Sequence, residues 1–259
     1  MRARRWGPRG AVALTVLGLT GEPLALPATT DARAVARAGI WASDGLESSP
    51  GAARPQGARL RLDRVDLYYG TGIVVGAASA EAVGTRAGLA VACIGLWSPV
   101  GETLALRAAG QLRSGCWRAG LGLDVRGVAL GPYARAWEVV PRVGCGWSLE
   151  KRIAVAAVAE QALVPQSAPR ATLAAEIRIA PAIDFGIQAD RQPGVPVTLR
   201  VGIACSAAPL SMSAGFESSA QTCSLGFSWT WGTQEIAWAG ATHPALGWSH
   251  AWTYAVSLR

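Results

Sequence analysis

The sequence predicts an all-β fold: an up-and-down antiparallel transmembrane β-barrel of about 12–14 strands behind a short N-terminal plug-like segment. Three observations predict it. The chain is 51% hydrophobic and 16% charged, with a mean hydropathy of +0.26, yet beyond residue 20 no apolar run approaches the roughly 20 residues of a membrane helix. The apolar residues alternate with polar ones through short segments bounded by turn residues, the pattern of a sheet with one apolar face. Tryptophans (11) outnumber phenylalanines (3), and Trp117, Trp137, Trp147, Trp231 and Trp248 lie near segment ends, where a membrane interface holds such rings.

Taken in order, the chain opens with Arg2, Arg4, Arg5 and Arg9 ahead of the apolar residues 11–20. This is the layout of a secretory signal, assigned to 1–32 with the cleavage point open. Residues 33–57, polar and rich in Gly and Pro, form the plug-like segment, with one short helix expected near DARAVARAGIWA. The barrel is assigned to 58–259. Leu104, Leu106, Ala108 and Leu112 oppose Thr103, Arg107, Gln111 and Arg113; Trp117, Leu121, Leu123 and Val125 oppose Arg118, Gly120, Asp124 and Arg126. Further on, Trp137, Val139, Val143 and Trp147 oppose Glu138, Arg142 and Ser148, and Leu173, Ile177 and Ile179 oppose Thr172, Glu176 and Arg178. Ile183, Phe185 and Ile187 oppose Asp184, Gln188 and Asp190; Val197, Leu199, Val201 and Ile203 oppose Thr198, Arg200 and Gly202. The last two segments place Leu225, Phe227, Trp229 and Trp231, then Leu246, Trp248, His250, Trp252, Tyr254, Val256 and Leu258, on one parity. A slip of one residue would invert each face, so the pattern fixes register.

A soluble secreted sandwich would hide the apolar parity and a barrel would show it to lipid. The tryptophan placement and the Gly, Ser, Thr and charges opposite favour the barrel. It predicts alternating tolerance in the last segment: Tyr254→Arg and Val256→Arg should impair assembly, Thr253→Arg and Ala255→Arg much less.

The 24 Lys+Arg against 17 Asp+Glu give a net charge of +7. Lys151 is the sole lysine, and no basic stripe with interleaved aromatics indicates nucleic acid. Five cysteines contain no CxxC pair. Cys93, Cys145, Cys205 and Cys223 share the apolar parity and read as small hydrophobes, with a Cys205–Cys223 bridge the one pairing left open. No hydrolase, metalloprotease or nucleotide motif occurs, so neither catalysis, cofactor nor metal is expected. The two histidines, His243 and His250, read as ordering a turn rather than as metal ligands. The candidate functional residues are the charges on the lumen parity: Arg107, Arg113, Arg118, Asp124, Arg126, Glu138, Arg142, Glu176, Arg178, Asp184, Asp190 and Arg200. Opposite signs there can pair across strands.

Thr242–His250, THPALGWSH, followed by an alternating last strand, resembles the end of outer-membrane barrels related to the fatty-acid transporter FadL and the type IX secretion protein PorV. The matching turn residues are His243, Leu246, Gly247, Ser249 and His250. SSPGAARPQG, residues 48–57, is similar to the Asn-Pro-Ala motif of that group, with Ser49 where the group has Asn and Gly51 where it has Ala. The resemblance implies a bacterial outer-membrane location with membrane lipid as a partner. It also implies either a passive FadL-like conduit for small hydrophobic molecules, with 33–57 as plug, or a PorV-like anchor or shuttle for secretion-system proteins.

Overall fold

The computed structural model describes residues 56–99, 101–130, 134–149, 152–164 and 167–258. The signal assigned to 1–32, the short helix, and all but the last two residues of the plug segment lie outside them. The described residues form β1 (Gly57–Leu67), β2 (Ile73–Val83), β3 (Ala87–Ser98), β4 (Gly101–Ser114), β5 (Trp117–Leu130), β6 (Ala134–Leu149) and β7 (Ile153–Glu160). They continue with β8 (Arg170–Ala180), β9 (Ile183–Arg191), β10 (Thr198–Ala207), β11 (Leu210–Glu217), β12 (Thr222–Trp231), β13 (Gln234–His243) and β14 (Gly247–Leu258). Each strand pairs antiparallel with its neighbours in sequence, and β14 returns to β1 to close the barrel. Closure removes every sheet edge, so the ladder satisfies the strand backbones internally, as a hydrocarbon environment demands. The soluble sandwich is thereby overturned: one closed sheet replaces two stacked ones, and its apolar face is exposed.

The two rims differ. At the rim that holds Gly57 and Leu258, here the terminal rim, strands are joined by two or three residues: 84–86, 115–116, 150–152, 181–182, 208–209 and 232–233. Connections at the distal rim vary more, from two residues at 99–100 to the longer 161–169 and 192–197. Gly70 (φ 89°) and Gly72 (φ 75°) turn the chain between β1 and β2. These conformations strain a residue with a Cβ.

The parity expected from the sequence is the parity observed. Leu104, Leu106, Leu112, Leu121, Leu123, Leu173, Ile177, Leu225 and Phe227 all stand exposed on the outer wall. Trp117, Trp229 and Trp231 lie by the terminal rim, Trp97, Trp137 and Trp248 by the distal rim, and all are exposed. Two aromatic girdles thus bound an apolar belt. Trp97 lies back over glycines: a Cβ built on Gly95 would meet its Cη2 at 2.5 Å, and one on Gly76 its Cζ3 at 3.0 Å. Trp137 covers Gly127, its partner across β5–β6, in the same way. The ring supplies the surface that the glycine lacks. Cys93, Cys145, Cys205 and Cys223 are exposed on this wall and free, so the Cys205–Cys223 bridge is not formed. Charges interrupt the apolar wall near the distal rim: Glu102 and Arg191 are exposed on the outward parity, and Arg64 and Asp66 point outward near the distal end of β1 and pair with each other at 3.0 Å.

The inner face differs from expectation in one respect. Thr253 and Ala255 do face inward, yet both are buried, and Thr253 Oγ1 donates to Asp63 Oδ1 at 2.7 Å. The room expected there for an arginine is absent. Around them, Val65, Ile73, Val75, Ile94, Leu96, Ala105, Ala237, Ala239 and Ala251 form an apolar inner sector spanning β13, β14 and β1 to β4.

Candidate functional site

The inner wall carries the chemistry, and its polar side chains arise from the period of two in the strands. On β4 to β6 the hub is Asp124, 1% exposed. Its Oδ2 accepts from Arg107 Nε and from Arg126 Nη2, both at 3.1 Å, and its Oδ1 from Arg142 Nη2 at 2.5 Å. Arg107 is its direct partner across β4–β5, whereas Arg142 reaches it from a diagonal position on β6. Arg126 also approaches Glu138, directly opposite on β6, at 3.7 Å. Towards the terminal rim, Arg113 and Arg118 stand opposite each other. Arg113 Nη1 donates to the Gly84 carbonyl at 3.2 Å and Arg118 Nη1 to Ser148 Oγ at 2.9 Å.

A second network centres on Asp190, on β9. Thr172 Oγ1 donates to its Oδ1 at 2.6 Å and Gln188 Nε2 to its Oδ2 at 3.2 Å. Arg200 pairs with Asp190 and donates through Nε to Glu217 at 2.7 Å. Arg170 lies 3.7 Å from both Asp190 and Glu160. Nearer the terminal rim, Arg178 Nε donates to Asp184 Oδ1 at 2.9 Å, with Glu176 on the same inward parity of β8.

The structure therefore places all twelve candidate residues on the inward parity of their strands, but in four separate groups rather than one site. It adds partners the sequence did not single out: Arg61 with Asp63 at 2.9 Å, Arg59 with Glu235 at 3.1 Å, and Glu160, Arg170 and Glu217 above. In β1 the alternation of Leu60 and Leu62 with Arg61 and Asp63 was the available signal. Arg64 and Asp66 blur it by breaking parity.

The turn motif is structural in this chain. His243 Nδ1 accepts from the backbone N–H groups of Ala245 and Leu246, both at 3.2 Å, and Gly247 adopts φ 87°. Ser249 Oγ accepts from Tyr68 N at 3.0 Å, and Tyr69 N donates to the Trp248 carbonyl at 2.6 Å. The motif thus ties the last hairpin to the turn after β1. His250 faces outward, stacked on Trp248 with ring centroids 6.5 Å apart and near Tyr69 at 6.0 Å. His243 is on the inward parity and His250 on the outward one, so the two cannot share a metal; among the described residues no cluster suits one. Tyr68 (φ 50°) sits in the turn with its ring 5.9 Å from His243. Burial pushes its phenol above the usual tyrosine range, aided by the Glu217 carboxylate.

Neither a protein-family model nor a curated protein matches the chain. Among solved structures it is similar to the KdgM porin, 8% identical with a TM-score of 0.48. The KdgM porin in complex with disordered oligogalacturonate gives 8% and 0.49, and a triple mutant of the Rhodopseudomonas blastica porin 10% and 0.48. Each alignment covers 78% of this chain and 99% of the other. The barrel itself follows from the strand pairing. With an apolar outer wall, an aromatic girdle at each rim and no open edge, it is built to stand in a bacterial outer membrane.

Proposed function

We propose that the barrel is a passive conduit for small polar solutes, with the inner wall as the path. The observation that carries this is the segregation of charge: ion pairs line the inside while the outside is apolar. The sectors also differ in sign. On β4 to β6 five inward arginines (Arg107, Arg113, Arg118, Arg126 and Arg142) accompany two carboxylates, Asp124 and Glu138. On β7 to β11 five carboxylates (Glu160, Glu176, Asp184, Asp190 and Glu217) accompany three arginines, Arg170, Arg178 and Arg200. A basic sector and an acidic one set a field across the path, which orients dipolar solutes and offers nothing to hydrocarbon.

A second reading has its own support. The apolar inner sector of Val65, Val75, Ile94 and Leu96 is the surface on which a FadL-like conduit would hold a hydrophobic molecule, or against which a plug from 33–57 would pack. A PorV-like role would instead call on the outer wall and the distal connections to engage secretion-system proteins. Liposome swelling discriminates. The polar conduit predicts rapid entry of small sugars and of small organic ions. Failure to swell, together with uptake of a hydrophobic dye that depends on the protein, would replace it with the FadL-like reading.

A further inference from the structure

Among the described residues, a buried cation on the inner wall lacks a counter-charge. Arg118 is only 6% exposed. Asp124 neutralises the arginines at mid-wall, but among the described residues no carboxylate pairs with Arg118. Its Nη1 donates to Ser148 Oγ at 2.9 Å and its Nε has no hydrogen-bond partner. A buried guanidinium left in this state is destabilising unless an anion completes it. The neighbours sharpen the need. Arg113 lies directly opposite on β4, where facing side chains start about 5 Å apart and like charges repel. On the other side the partner of Arg118 is Gly146, which brings no charge to it. All three polar groups sit one residue in from their strand ends at the terminal rim, and Arg86, in the adjoining turn, adds an exposed cation.

We infer that Arg118, Arg113 and Ser148 form an oxyanion-binding subsite at the terminal rim of the lumen, suited to phosphate- or carboxylate-bearing small solutes. Two oxygens of one anion can accept from both guanidinium groups, relieving their repulsion and occupying the idle Nε–H. The inference deepens the conduit reading by naming the solute class held at one rim.

The test reads binding apart from conduction. Inorganic phosphate is titrated into the full chain in detergent micelles and followed by phosphorus NMR line broadening, with acetate as a competing probe. Saturable broadening is expected, weakened about tenfold or more in Arg118→Gln, less in Ser148→Ala and not in the outward-facing control Arg64→Gln. Heat-modifiable gel mobility verifies that each variant is folded; should Arg118→Gln not fold, Arg113→Gln and Ser148→Ala carry the comparison. In planar bilayers, phosphate added on the terminal side should reduce chloride current in a saturable, Arg118-dependent manner. A barrel that binds phosphate through Arg118 but passes no ions upholds the subsite and refutes the conduit. A barrel that conducts, with phosphate binding absent or unchanged in the folded variants, overturns the subsite alone.

Discussion

Replacing Asp124 with asparagine removes one negative charge from among three guanidinium groups while preserving shape. Arg107 and Arg142 are as buried as Asp124 itself, at 5% and 4% exposure, whereas Arg126 is half-buried and can rehydrate. Two unit charges about 4 Å apart at an effective dielectric near 20 attract by about 4 kcal/mol, before the cost of taking them out of water. Removing one member of a buried pair costs about 3–5 kcal/mol, because the partner stays behind uncompensated. The asparagine oxygen can still accept from one arginine, so we expect Asp124→Asn to lose about 3 kcal/mol. The assay is urea unfolding in lipid vesicles, read by tryptophan fluorescence and by heat-modifiable gel mobility; the midpoint should fall with little change in slope. Adding Arg142→Gln should restore about 1 kcal/mol or more, since the second substitution removes a buried charge whose Asp124 carboxylate the first took away. A loss under about 0.5 kcal/mol, with additive single substitutions, would refute the hub assignment.

On the outer wall, Tyr254→Arg should cost about 2–4 kcal/mol of membrane stability, while Ser211→Arg, inward and only half-buried, should stay within about 1 kcal/mol; equal costs would contradict the facing. Gly95→Ala should displace Trp97 and cost about 1–3 kcal/mol by overpacking, seen as a shift in tryptophan emission together with a lower urea midpoint. Ser249→Ala removes the acceptor of the Tyr68 N–H and should cost about 1 kcal/mol; no change in the urea midpoint would remove the motif from the closing contact. In intact membranes a lipid-phase maleimide should label Cys93 and a water-soluble one should not, mass spectrometry of the labelled peptides being decisive.

Most of the fold was legible because most strands from β4 onward set a row of large apolar residues against a row of polar or small ones, so a period of two recurs in strand after strand from Leu104 to Leu258, with an irregularity at Arg178–Ala180. The stretch before it was less legible for a physical reason. In β2 and β3, Ile73, Val75, Ile94 and Leu96 face inward while Val74, Leu89 and Val91 face outward, and alternation disappears when both faces are apolar. The candidate charges were legible by parity alone. Their grouping was not, because it depends on register and on diagonal reach: nothing in the spacing of Asp124 and Arg142 announces that a guanidinium on β6 bypasses its direct partner Gly122 to reach the carboxylate. Arg118 without a carboxylate was invisible for the same reason, since a missing partner is a property of the assembled wall.

The closure of β14 on β1 also sets an order of events. Every other pairing joins strands adjacent in sequence, but the Thr253–Asp63 bond at the closure spans 190 residues. Loop entropy makes such an encounter about 2–3 kcal/mol harder than zipping a hairpin of about ten residues. Hairpins can therefore accumulate one after another while the two outermost strands wait, each presenting a row of unsatisfied amides inside or beside a bilayer that cannot solvate them. A chain built this way has one vulnerable interval during its birth, and whatever shelters β1 and β14 until they meet governs how much of the protein reaches its destination.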